Sequence, residues 1–385
     1  MSLNVLHVDT ERGWRGGERQ TLWLAKELAA RGHGSIIAAR DGEPLAMRAA
    51  EAGIETVRCA PRFEGDLAAA WRLRRAIRAR SVDIVHAHTA HAVATAALAT
   101  LRLDVPIVVS RRVDFKLRGN AATRWKYGRA AMIVAISRAV AQVLVASGVD
   151  ERRVRVIPDG VDIHRVVTPA DSTTLTALGV ETGAPLVVQV AQLVGHKDPL
   201  NFVRAVARAR SDVPNLQALL IGDGPLRGDV ENEVRSLGLE STLHVAGYRT
   251  DADELLAAAD VACLSSREEG MGSVLLDALA FGRPVAATTA GGIPEVIEHG
   301  ETGLLVEREN PVGLGDAIAE LLTDRVLAVR LGANGRARAR DFSVERMTDR
   351  TIAVYEEVLN GRGGGRRSRT DPASSANSSS VTAAP

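Results

Sequence analysis

The chain has 385 residues, 46% hydrophobic and 25% charged, the balance expected of a globular protein long enough for two domains. Its 48 basic and 47 acidic residues leave a net charge of +1, which gives no field for nucleic acid and excludes that partner class. Cys59 and Cys263 each sit in an apolar stretch and make neither a disulfide framework nor a metal cluster, and the apolar runs are too short for a membrane span.

In chain order, MSLNVLHVDT opens without a basic segment ahead of an apolar one, so a cytoplasmic location is expected. Apolar strand candidates then alternate with amphipathic helices. The strands read 4–8, 35–39, 83–88, 106–110 and 132–137, with helices such as 18–32 and 66–80 between them. A stretch rich in Pro, Gly, Thr and Ser, 156–174, reads as a linker. The alternation resumes with strands 185–193, 216–222, 242–247, 261–265 and 284–288, and a last helix at 341–359 has Met347, Ile352, Tyr355 and Leu359 as apolar positions. Near-continuous apolar strands separated by helices predict parallel sheets covered on both faces. The expected fold class is therefore α/β, with two doubly wound Rossmann-like domains facing across a cleft, the first at 1–165 and the second at 166–342. Beyond Asn360 the composition is Gly, Arg and Ser, too poor in apolar surface to order, so 361–385 is expected to be disordered.

Open parallel sheets bind ligands at the carboxyl ends of their strands. After the first strand, Gly16-Gly17 lies where a helix begins; an anion site and a flexible connection both fit. After the third come His86, His88 and His91, without accompanying acids or thiols, so hydrogen bonding is expected and no metal. After the fourth, Arg111 and Arg112 suit an anionic substrate, though surface charge is the alternative. In the second half, QLVGHKDP carries Gln192 and places Lys197 at a strand-end loop where an ammonium neutralises a diphosphate.

The run REEGMGSVLLDALAFG, starting at residue 267, carries the most chemistry. Gly270 and Gly272 flank Met271 and allow close backbone approach, and the N–H groups at Ser273 and Val274 are free at a helix start, a site for phosphate oxygens. Glu269 before the turn and Asp277 within the helix are hydroxyl acceptors. Phosphate flanked by hydroxyl acceptors describes a nucleotide sugar.

These residues lie in motifs that resemble the retaining glycosyltransferases of family 4, from residue 3 to about 360. The motifs are GGER (16–19), DIVHAHT (83–89), IVAIS (133–137), VIPDGVD (156–162), QLVGHKD (192–198), LLIGDGPL (219–226), SREEGMGSVLLDALAFGRPVAATTAGGIPEVI (266–297) and GETGLLV (300–306). The resemblance implies the two-domain GT-B fold, with the helix at 343–360 crossing back to the first domain. It implies transfer of a sugar from a nucleotide diphosphate sugar to a glycan or lipid-linked acceptor, in cell-envelope polysaccharide or lipopolysaccharide synthesis, with no cofactor. Under it Glu269, Lys197 and Arg111 are catalytic; Gly16, Gly17, Gln192, Gly270, Met271, Gly272, Ser273 and Asp277 bind the donor; His88 and Arg112 face the acceptor. Three positions depart from the family pattern: Asp277 stands for the second Glu of E-x7-E, Gln192 for an Arg five residues before the lysine, and Arg111 for a strand-end His. A nucleotide-sugar epimerase and a non-catalytic binding module are the alternatives; the spaced acids and GGIPEV speak against the first, and the presence of Glu269, Lys197 and both glycine loops against the second. Arg72, Arg75 and Arg78 on one helix suit a peripheral contact with the inner face of the membrane.

Overall fold

The structure, a computed structural model, describes residues 2–367. The first sheet contains β1 (Asn4–Val8), β2 (Gly34–Ala39), β3 (Glu55–Arg58), β4 (Ile84–Ala87), β5 (Ile107–Arg111), β6 (Ala130–Ala135) and β7 (Val154–Val156), in the order β3-β2-β1-β4-β5-β6-β7. The second contains β8 (Leu186–Val190), β9 (Gln217–Ile221), β10 (Leu243–Gly247), β11 (Val261–Leu264), β12 (Val285–Thr288) and β13 (Leu304–Val306), in the order β10-β9-β8-β11-β12-β13. All pairings are parallel, the two-domain Rossmann-like architecture that the apolar strands predict. β3, β7 and β13 are additional to the strands read from the pattern.

Each sheet reverses its strand order once, between β1 and β4 and between β8 and β11. A crevice opens at such a switch point because the connections leave it on opposite faces of the sheet. The loops there are the ones that carry Gly16-Gly17 and His88 in the first sheet, and Gln192–Lys197 and Glu269–Ser273 in the second. The fold thus brings four separate motifs to one place.

The closing helix, Val344–Arg367, packs against the helix Gly16–Ala30 of the first domain. Met347, Val354, Tyr355 and Val358 share a buried cluster with Leu3, Val5, Leu24 and Leu28. The helix runs on to Arg367, past Asn360 where disorder was expected to begin. Once a packed segment has nucleated a helix, each further residue adds a backbone hydrogen bond without a new nucleation cost. The remainder of that expectation, 368–385, lies outside the described residues. The stretch read as a linker is tied down at its first part. The Gln20 amide brackets Gly160, donating to its carbonyl at 2.7 Å and accepting from its N–H at 2.8 Å. Val161 also bridges to Ser343.

Candidate active site

Two cavities of about 660 and 390 Å³ open between the domains. The larger runs over the second domain past Gly222, Tyr248 and Leu256, and the smaller over the first past Asp9, His88 and Arg112. Arg15, Gly16, Gln192, Lys197, Glu269, Gly272 and Ser273 line both, and so mark the junction where a group could pass from one occupant to the other.

At this junction the domains approach at backbone distance. A Cβ at Gly270 would stand 2.3 Å from the Arg112 carbonyl oxygen, and one at Gly16 would stand 2.7 Å from Ser273 Oγ. Ser137 Oγ donates to the Gly270 carbonyl at 2.6 Å. Glu295, in GGIPEV, reaches across and accepts from Arg138 N and Ala139 N at 2.9 and 3.1 Å, capping the helix Arg138–Ala146 of the other domain. Gly272, with φ +77°, turns the chain into the helix Ser273–Ala280, and the first N–H groups of that helix face the junction.

The lysine and acid predicted from separate motifs meet here. Lys197 Nζ donates to Glu269 Oε2, which also accepts from Ser266 Oγ at 3.1 Å. Gln192 lies beside them, its amide oxygen 3.2 Å from both Nη2 and Nε of Arg15 in the orientation that satisfies both groups. Met271 is buried in the core beneath the turn.

Asp277 is buried, and both of its oxygens face guanidinium groups from the preceding half of the chain. Arg19 Nη2 donates to Oδ2, and Arg165 Nη2 donates to Oδ1 at 3.1 Å. The same arginines hold Asp253, at 3.4 Å from Arg19 and 2.6 Å from Arg165. Burial pushes the Asp277 carboxyl above its ordinary range and Arg19 draws it back. Each carboxylate oxygen keeps a further lone pair for a hydroxyl donor.

On the first domain the two adjacent arginines separate. Both line the smaller cavity, but Arg111 Nη2 donates to the Phe115 carbonyl at 2.6 Å, whereas Arg112 has Nε 3.2 Å from Asp159 Oδ1 and Nη1 3.2 Å from His88 Nδ1. His88 Nε2 is in turn 3.1 Å from His7 Nδ1. An arginine only donates, so His88 accepts through Nδ1, and as a neutral ring it donates through Nε2 to His7. Burial, reinforced by Arg112, holds His7 neutral with its pKa lowered to about 3, and holds His88 well below its usual value. The ring nitrogens of His7, His86 and His88 lie within 4.8 Å of one another, a spacing that a metal triad could use. His86 spends both nitrogens on Tyr355 OH at 2.6 Å and Ser110 Oγ at 2.8 Å, and His88 spends both on Arg112 and His7. His7 and His88 thus form a hydrogen-bonded pair ending on a guanidinium, an unfavourable neighbour for a cation, and His86 is bonded separately to Tyr355 and Ser110. His91 takes no part in it, and His7 comes instead from the adjoining strand, opposite His86.

Sequence reasoning did not single out Arg15, Glu18, Arg19, Arg165 or His7. Glu18 and Arg19 belong to the GGER motif, so the signal was present there. Glu18 lines the smaller cavity, and burial together with the Asp9 charge raises its pKa to about 7.

The sequence model of the Glycosyltransferase Family 4 group matches residues 14–165, and that of the Glycosyl transferases group 1 matches 173–338. Among curated proteins, the N-acetyl-alpha-D-glucosaminyl L-malate synthase of Bacillus anthracis is 28% identical over 87% of this chain and 92% of its own length. The lipopolysaccharide core biosynthesis glycosyltransferase LpsE of Rhizobium meliloti is 32% identical over 52% of this chain and 56% of its own. Among solved structures, Anabaena HepE in complex with UDP-glucose superposes with a TM-score of 0.80 at 22% identity, over 93% of this chain and 100% of that one. Among the described residues no helix is long and apolar enough to cross a membrane. One model covers the first sheet and the other the second, and the switch-point loops of both meet at a single junction: the chain belongs to the family 4 glycosyltransferases, with the GT-B fold.

Proposed function

We propose that this glycosyltransferase moves a hexose from a nucleotide diphosphate sugar to a glycan or lipid-linked acceptor with retention of configuration. The observation that carries the reading is the junction shared by both cavities, where the Lys197–Glu269 pair stands at the free N–H groups of the helix Ser273–Ala280. The nucleotide lies in the larger cavity with its ribose hydroxyls on Asp277. Its diphosphate lies at the glycine turns with Gln192 and Lys197, and Glu269 accepts from the sugar hydroxyls. Negative charge grows on the outer phosphate as the sugar departs, and the amides of Gly17 and of the 270–274 turn are oriented before that charge appears, so little reorganisation is needed. The acceptor occupies the smaller cavity beside His88 and Arg112, with Arg111 at its rim. It attacks from the face the phosphate leaves, and the phosphate takes its proton, so that no enzyme nucleophile is required. The division of roles follows a domain boundary near 165/166, between β7 and β8.

The acceptor class rests on the likeness to a lipopolysaccharide core enzyme and on one surface. Phe63, Leu67 and Trp71 are 63, 71 and 61% exposed, and Arg72, Arg75 and Arg78 continue along the same helix, Leu67–Ala79. Aromatic and aliphatic groups beside arginines fit a cytoplasmic enzyme resting on an anionic inner-membrane face. Trp71→Ala would then reduce co-flotation with anionic vesicles.

The reading is tested by incubating the protein with UDP-glucose, UDP-N-acetylglucosamine and GDP-mannose, with envelope glycolipids as acceptors, and reading the anomeric coupling of the product by NMR. Release of nucleoside diphosphate with a product of the donor's own configuration is expected. An inverted product would refute retention, and the absence of turnover with every donor and acceptor would refute the assignment of substrates.

A further inference from the structure

We propose that Arg15, from the first domain, supplies the second cation for the donor's diphosphate. This rests on the nucleotide-sugar reading above and identifies a further catalytic residue at the same site. A departing nucleoside diphosphate carries more charge than one ammonium can offset, and Lys197 is already engaged by Glu269. Position 192, which the family resemblance would fill with an Arg, holds an uncharged Gln. The structure brings Arg15 to that place. It lines both cavities, and its Nη2 and Nε converge on the Gln192 amide oxygen at 3.2 Å.

Of the arginines that line the cavities, Arg15 is common to both, and three of its neighbours are held by acids. Arg19 and Arg165 are bound to Asp253 and Asp277, and Arg112 to Asp159. Among the described residues Arg15 makes no ion pair, and its remaining N–H groups, including both on Nη1, are available to phosphate oxygens. Gln192 thus serves as a rest for the guanidinium and fixes the plane of its fork, the geometry that suits bidentate contact with phosphate. In the reaction the bond between the anomeric carbon and the outer phosphate oxygen breaks and its electron pair stays on that oxygen. The acceptor oxygen bonds to the carbon and passes its proton to the phosphate. Arg15 stabilises the charge on the leaving oxygen and exchanges no proton. Because it belongs to the domain opposite Lys197, the full clamp exists only when the cleft is closed, which ties donor activation to acceptor-side assembly.

The test uses the full chain and calorimetric titration with UDP, GDP and ADP and with the corresponding monophosphates, on wild type, Arg15→Gln and the double variant Arg15→Gln/Gln192→Arg. Arg15 is exposed, so its replacement leaves the fold intact. The expected result is a loss of about tenfold or more in affinity for the best-bound diphosphate in Arg15→Gln, the size of one charge-assisted contact, with the monophosphate changed much less. In the double variant the guanidinium returns from the opposite side of the cleft, and diphosphate affinity recovers to within about threefold of wild type. Unchanged diphosphate binding by Arg15→Gln, or equal loss of mono- and diphosphate, overturns the role of Arg15 and leaves the donor reading standing. A wild type that binds no nucleoside diphosphate overturns both.

Discussion

The two domains touch in two chemically different ways. At Asp277 the contact is ionic, two guanidiniums on two carboxylates, whereas at Gly270 and Gly16 it is backbone and small side chains at van der Waals distance. The ionic contact can admit a further donor and shift to hold it, since each oxygen accepts more than one hydrogen bond. The contact at Gly270 has no such latitude, because an added Cβ must occupy space held by the Arg112 carbonyl. Under the proposed function, the donor's hydroxyls would meet the adaptable contact and the reacting atoms the rigid one.

Three substitutions sharpen this contrast. The largest effect is expected from Asp277→Ala, which leaves Arg19 and Arg165 without their buried partner. Removing one member of a buried network costs roughly 3–5 kcal/mol, seen as a lower midpoint in urea unfolding. If Asp277→Ala is as stable as wild type, the ionic contact is not a structural element. Next comes Gly270→Ala, whose methyl meets the Arg112 carbonyl. Overpacking of this kind costs about 1–3 kcal/mol, and a displacement of the reacting groups by about 1 Å lowers turnover on the order of a hundredfold. An active Gly270→Ala enzyme would mean that the cleft works without this approach.

The smallest effect concerns Glu18. In the unfolded chain its carboxyl ionises near 4.5 and in the folded chain near 7, so the folded state holds the extra proton. The stability tied to that proton is fully present below 4.5 and is lost as pH rises through about 7. Glu18→Gln keeps a neutral side chain at every pH. Its melting temperature relative to wild type should therefore be higher at pH 8 than at pH 5. A difference that does not change between the two pH values would contradict the raised carboxyl.

The interior of both sheets was legible because buried parallel strands read as short apolar runs. The strands that escaped, β3, β7 and β13, lie at sheet edges; ETVR, for instance, is mostly exposed and carries charge at both ends. An edge strand answers to one neighbour, so its composition is less constrained. The helix beyond Asn360 escaped because composition reports what a segment can bury, not what a packed helix ahead of it can extend. At the site, Lys197, Glu269 and the glycines were legible as candidates because those residue types beside a turn suit phosphate and hydroxyl recognition. The pairing of Asp277 with Arg19 and Arg165, and of Arg15 with Gln192, depends on how one domain lies on the other. No local spacing records that. Arg111 and Arg112 illustrate the limit: both line the smaller cavity, and only the fold decides that one bonds a carbonyl and the other Asp159 and His88.

The most direct measurement is calorimetric titration of wild type, Lys197→Ala and Glu269→Ala with a matched nucleoside diphosphate and its sugar. If the junction holds a nucleotide sugar, Lys197→Ala loses affinity for both ligands. Glu269→Ala then binds the diphosphate within a few-fold of wild type and loses the extra affinity conferred by the sugar. Equal binding of both ligands by all three proteins would contradict the placement of the donor between Lys197 and Glu269.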